Sequence, residues 1–392
     1  MSGLRFVATQ REWRRASPSL LLEMRSQADK VSASPAITIG NVSYPALTYQ
    51  AGPYAFLVMF DPQTHLPVRI RTLDYDNVWG DVTYDLTFAD WRKFGSVQIA
   101  TSQHYELNGQ VVAAIKITDV QANTAVAAGH FDIPAALQGT APKPASGNVP
   151  YQWVLRRQFI GTYLDSDNPS FDTRATDSLK LVELAPGVQH AVGGSHHSLV
   201  VELSDGLAVF DAPVSDWQAN WTMAAAKAKY PGKAVKYLVL THHHMDHVGG
   251  LRAYAAAGAT LVVGKGNAEH FRKVFAMPFT RNPDLTPRDL SKTPIVEVAE
   301  SYTIPDGKRQ VSAYLADNPH AHGMLIGYVA DAQLGFVTDI WSPGAAPLPE
   351  KITPPLAAVV NAVKKAGIAP LKFAGGHGST SDYAPLAALA GN

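Results

Sequence analysis

An apolar run, Ala-Val-Lys-Tyr-Leu-Val-Leu at 234–240, passes directly into Thr241-His242-His243-His244-Met245-Asp246-His247-Val248-Gly249-Gly250. The run reads as a buried strand, and the two glycines let a following helix start close to the sheet. Side chains alternate along extended backbone, so His242 and His244 point to the same side. Asp246 and His247 follow where the chain bends, within reach of a second point nearby. Neutral imidazole and carboxylate are the ligand types that suit zinc. A solvated polar loop or a tag-like histidine run does not account for the strand–turn–helix frame around them. The chain has no cysteine and 14 histidines. Disulfides, thiolate metal sites and a cysteine nucleophile are therefore excluded, and a metal must be held by His, Asp or Glu.

At 392 residues the chain is long enough for two or three domains. Lys plus Arg equals Asp plus Glu at 33 each. That balance argues against binding nucleic acid or anionic lipid through bulk positive charge. Hydrophobic residues at 46% and charged residues at 17% are a globular balance. No apolar stretch is long enough for a membrane span. The start, Met-Ser-Gly-Leu-Arg-Phe, shows no signal-peptide pattern. The expected location is cytoplasmic, or periplasmic if a signal peptide was removed.

Residues 10–30 mix helix formers with an apolar stripe around Pro18 and predict one early helix. From Ala36 to Pro134 the texture becomes alternating, with breaks at Gly-Asn, Asp-Pro and Asn-Gly, as in an antiparallel β-meander. Asn108-Gly109 is the strongest hairpin signal. His65, His104 and His130 occur singly, and no cluster of chemically able residues is evident. Residues 134–152, rich in Pro, Ala, Gly and Ser, read as a linker. Strands and helices then alternate to the end, closing on the strand Leu-Lys-Phe-Ala-Gly-Gly, which indicates an α/β domain. The expected divisions are an N-terminal β domain at 1–140, a connecting segment at 141–180 and a catalytic domain at 181–392.

His242-x-His244-x-Asp246-His247 resembles the signature of the metallo-β-lactamase superfamily, over about Val182 to the C-terminus. The resemblance implies an α+β fold, a four-layer αβ/βα sandwich after the N-terminal β domain. It implies one zinc held by His242, His244 and His320, and a second by Asp246, His247 and His377, bridged by Asp339. His320, in Asn-Pro-His-Ala-His-Gly-Met-Leu, is preferred over His322, which would line the pocket or act as an alternative ligand. Asp211, ending Leu-Ala-Val-Phe-Asp, matches the carboxylate that orients a ligand histidine, although a helix-capping Asp fits the same place. His196 and His197 are pocket-wall candidates. Residues 276–294 are a candidate lid. The N-terminal sheet resembles the open curved sheet of periplasmic lipoprotein carriers; covering the site, binding an apolar ligand or forming a homodimer are the uses this suggests.

The chemistry implied is zinc-dependent hydrolysis of a small-molecule ester, lactone, thioester or amide-type bond by a metal-bridging hydroxide. Asp246 and His247 are the catalytic candidates, at the second ion. Iron or manganese could replace zinc. The alternatives are β-lactamase activity proper, a phosphodiesterase, or a di-iron or mono-iron redox enzyme on the same fold. Asp339 tilts the choice towards lactonase-, esterase- or glyoxalase-II-like chemistry.

Overall fold

The structure is a computed structural model describing residues 3–52, 54–121, 123–139, 179–194, 196–282 and 285–391. The chain divides into two compact units, one of residues 1–76 and 81–167, the other of 77–80 and 168–392. The expected connecting segment lies outside the described residues up to 178.

The first unit opens with two helices where one was expected, α1 (Gly3–Ala16) and α2 (Leu20–Ser26), because Pro18 falls between them. Seven strands follow: β1 (Val31–Ile39), β2 (Val42–Ala51), β3 (Tyr54–Phe60), β4 (Pro67–Asp76), β5 (Gly80–Phe94), β6 (Val97–Leu107) and β7 (Gln110–Lys116). They form one sheet in sequence order. Asn108 and Gly109 close the β6–β7 hairpin, both at positive φ, as a tight two-residue turn requires. Leu20 and Met24 of α2 pack on Tyr49, Phe56, Val58 and Ile70.

This unit buries a network of charged side chains. Arg11 donates to Asp74 at 2.7 Å, and Arg15 donates to Thr72 at 2.6 Å and to the Tyr84 carbonyl at 2.8 Å, all buried. Arg71 grips Asp85 through two nitrogens at 2.8 and 2.9 Å, and Arg69 pairs with the same carboxylate. Arg11, Arg69 and Arg71 are thus paired with carboxylates, which offsets part of the cost of burying them.

The described residues of the second unit form two sheets. Its first is built from β8 (Lys180–Ala185), β9 (Val188–Val192), β10 (Ser198–Glu202), β11 (Leu207–Phe210), β12 (Val235–Val239), β13 (Thr260–Gly264) and β14 (Ile295–Val298), adjacent in that order. Strands β11 to β14 are mutually parallel. The second sheet runs β15 (Ser301–Thr303), β16 (Val311–Ala316), β17 (Met324–Val329), β18 (Leu334–Val337), β19 (Lys372–Gly375) and β20 (Thr380–Asp382). The Leu-Lys-Phe-Ala-Gly-Gly strand is thus followed by one more strand and a helix.

Phe210, Val239 and Val262 of the first sheet share a core with Leu325, Phe336 and Ala374 of the second. The outer faces carry helices. α3 (Asp216–Lys229) and α5 (Leu251–Ala256) pack together beside the first sheet. α7 (Pro354–Ala366) lays Val359, Val360 and Val363 against Met324, Ile326 and Phe373 of the second. The order of layers is helix, sheet, sheet, helix, an α+β sandwich. α6 (Ala268–Ala276), α8 (Ala384–Leu389) and the short α4 (Met245–Val248) complete the helices among the described residues of this unit.

Glycine lets segments approach closely at two places. A Cβ on Gly249 would sit 2.1 Å from the Val214 carbonyl oxygen, and one on Gly264 would sit 1.7 Å from that of Gly323. The first contact holds the turn after α4 against the loop that follows Asp211. The second presses the end of β13 against the entry to β17, a few residues after His320. Within the segment expected as a lid, Phe279 and Leu290 are buried, and Asn282 donates to Asp216 at 2.7 Å.

Candidate metal centre

The chemistry gathers at one edge of the two sheets. Asp211 leaves β11 with φ of 61°, and Asp339 follows Thr338 beyond β18 with φ of 58°. The left-handed region is disfavoured for most residues but is visited by Asp and Asn. At Asp211 this bend turns the carboxylate back over the start of the histidine run. It accepts from the Thr241 backbone N–H at 2.7 Å and from the Thr241 hydroxyl at 2.9 Å. Its Oδ2 also lies 3.1 Å from Nδ1 of His247. With Nδ1–H committed to Asp211, Nε2 of His247 turns to the opposite side, towards Asp339.

Two groups of donor atoms lie side by side. The first consists of His242, His244, His320 and Asp339, and the second of His196, Asp246, His247 and His377. Within each group the donor atoms are all within 4.8 Å of one another. Nδ1 of His244 is 3.1 Å from Nε2 of His320. Asp339 reaches both groups. Its Oδ2 lies 3.1 Å from His242 Nε2 and 2.9 Å from His320 Nε2. Its Oδ1 lies 3.1 Å from His247 Nε2 and 2.6 Å from His377 Nε2. His242 and His247 are closed off from solvent, whereas His320 and His377 are partly open and mark the accessible face.

The electrostatics favour positive charge here. Burial works against ionising Asp339, yet His242, His247 and His377 outweigh it and hold the carboxylate far below its usual range. Asp246 is likewise driven well below that range, by the hydrogen bond from His196 and the charge of His247 against the effect of burial. For His247, burial disfavours the charge, but Asp211 and Asp339 raise it to about 10. His244 is pushed down to about 4 by burial and neighbouring histidines. Two ionised acids beside mostly neutral imidazoles form a donor set suited to divalent cations. His242 Nε2 is buried and makes no hydrogen bond, although the Asp339 carboxylate is near. A donor atom left in that state fits coordination better than a hydrogen-bonded core.

The other expected residues distribute unevenly. His322 belongs to neither group and packs beside Gly266. His197 turns away, its ring 5.1 Å from that of His190, and its backbone N–H donates to the Gly376 carbonyl. His196, placed on the pocket wall by the sequence, lies within the second group. Thr241 and Thr338 were not singled out. Thr338 Oγ1 sits 3.3 Å from His247 Nδ1 and 3.2 Å from Asp339 Oδ1, bracing both. A hydroxyl just before each metal-type residue is the only sequence trace of that bracing.

Comparison with known proteins follows the same lines. Residues 191–366 match the family model of the metallo-beta-lactamase superfamily. No curated protein matches the chain. A metallo-beta-lactamase from Pontibacter korlensis is similar at 18% identity and a TM-score of 0.41, covering 55% of this chain and 99% of that one. A flavodiiron core from Synechocystis sp. is 15% identical with a TM-score of 0.42, covering 53% and 58%. A stereoselective inverting sec-alkylsulfatase from Pseudomonas sp. is 13% identical with a TM-score of 0.42, covering 54% and 40%. The chain thus spans under two thirds of the latter two. The stretch that resembles the metallo-beta-lactamase superfamily, residues 191–366, is the greater part of the second unit.

Proposed function

We propose that this chain is a dinuclear zinc hydrolase cleaving an ester, lactone, thioester or amide-type bond in a small molecule. The observation that carries the reading is Asp339, whose two oxygens face the two donor groups separately. A carboxylate placed in this way suits a bridge between two cations. In this reading His242, His244 and His320 hold the first ion, and Asp246, His247 and His377 the second. When bound, such ions polarise a carbonyl oxygen and lower the pKa of water towards neutrality.

The chain's own residues supply orientation and proton handling. Asp211 fixes the tautomer of His247 by accepting at Nδ1, and Thr241 fixes Asp211 in turn. Asp246 is held ionised, so it offers an anionic donor and is no standing acid. Its side chain, 21% exposed against 11% for Asp339, is the more open of the two carboxylates. Substrate enters on the side of His320 and His377, since His242 and His247 form the closed floor.

Elemental analysis combined with a substrate panel tests this. The expected result is about two zinc ions per chain and turnover of a lactone, thioester, aryl ester or cephalosporin. His244→Ala and Asp246→Ala should abolish turnover while leaving the circular dichroism unchanged. Iron with visible absorption and no hydrolysis of any substrate would refute the proposal in favour of redox chemistry, and turnover of phosphodiesters alone would move the activity to another substrate class.

A further inference from the structure

We infer that His196 is a direct ligand of the second cation, giving that site three imidazoles, as the first site has. The inference rests on the two-cation reading above and deepens it. His196 lies on the loop that enters β10, well away in sequence from the His242–His247 run. Its Nε2 lies 3.1 Å from Asp246 Oδ2, and the same oxygen lies 3.9 Å from His247 Nε2. Its ring centroid is 4.3 Å from that of His377 and 5.1 Å from that of His247. The donor atoms of these four residues are mutually within 4.8 Å, the same compactness as in the first group.

The 3.1 Å spacing to Asp246 also separates His244 Nδ1 from His320 Nε2, a pair assigned to one ion. Donors sharing an ion at ~2.0–2.2 Å come this close to one another. The loop is built to hold the ring in place. His196 is only 3% exposed, and its carbonyl accepts from Gln218 Nε2 at 3.0 Å. His197, next along, faces the core, so the pair splits in the way alternation demands.

A ligand role has a coordination consequence. His196, Asp246, His247, His377 and the Oδ1 of Asp339 are five donors, one more than a tetrahedral ion uses. The second site therefore accepts ions of higher coordination number, such as manganese or ferrous iron, more readily than the first.

The rival role is a hydrogen bond that merely positions Asp246, and a glutamine separates the two. Metal-depleted wild type, His196→Ala and His196→Gln are titrated with zinc against a chromophoric chelator. Two tight equivalents in the wild type, with the second weakened about 10–100-fold in both variants and the first unchanged, supports the inference. Wild-type affinity in His196→Gln overturns it, because the amide can hydrogen-bond Asp246 but is a poor ligand. Fewer than two equivalents in the wild type refutes the two-cation reading and this inference with it. Should the variants not fold, long-range proton–nitrogen correlation of zinc-loaded wild type decides the matter. Metal-bound nitrogen signals from the histidines of both groups, His196 included, support the role, and their absence for His196 overturns it.

Discussion

Asp211→Asn is the most informative single change to the centre. The side chain is fully buried and accepts three contacts, two at Oδ2 and one at Oδ1. Asparagine keeps nearly the same shape and tolerates the φ of 61° at this position. Its oxygen can still accept from the Thr241 backbone N–H, so the strand end keeps its form. The new NH₂ then faces the Nδ1–H of His247, two donors at 3.1 Å. The imidazole must change tautomer and place its proton on Nε2, the atom turned towards Asp339 and Asp246. A protonated nitrogen cannot ligate a cation. Loss of such a supporting contact costs about 10–100-fold in metal affinity, or ~1.4–2.8 kcal/mol. Chelator competition at neutral pH reads the second equivalent directly, and a thermal melt in excess chelator reports the fold by itself. A second-site affinity within about twofold of wild type would show that His247 does not depend on Asp211, and the orientation argument would fail.

Other expectations follow from the same geometry. Turnover and tight zinc binding should be lost in His320→Ala and nearly kept in His322→Ala; the reverse order, in a paired assay, would move the ligand by two residues. Gly264→Ala places a methyl 1.7 Å from the Gly323 carbonyl, and overpacking of this kind costs roughly 1–3 kcal/mol, so a wild-type urea midpoint would contradict the close approach. His190 is buried and donates to the Gly375 carbonyl at 2.9 Å, and burial lowers it from 6.5 to about 4. Its neutral form is the folded one, so stability is full above about 6.5. The unfolded chain takes the proton first, and stability falls as pH drops from there towards about 4, by roughly 3 kcal/mol. Denaturation in chelator from pH 4 to 8 should show a shallower slope in His190→Gln; equal slopes would remove His190 from the cause.

The strand, turn and acid–imidazole cluster at His242–His247 were legible because the whole pattern is local. His320, Asp339 and His377 each needed the resemblance, since nothing in their own neighbourhoods distinguishes a ligand from an ordinary loop residue. His196 was under-read for a geometric reason. Two adjacent histidines in extended chain face opposite ways, and the sequence does not say which one faces inward. The helix expected to follow the two glycines begins at Leu251 as α5, after the separate short turn of α4. In the first unit, Arg11 and Arg15 on α1 meet Asp74 and Thr72 on β4. Partners that far apart in sequence carry no periodic signature, so the buried network was invisible before folding.

Both donor groups draw on both sheets. His242 and His247 come from the layer holding β12, and His320, Asp339 and His377 from the layer holding β17 to β19. Any cation seated there rivets one layer to the other along their common rim. Loading then braces the entire double sheet rather than a single loop, and the melting of the sandwich becomes a gauge of how full the rim is.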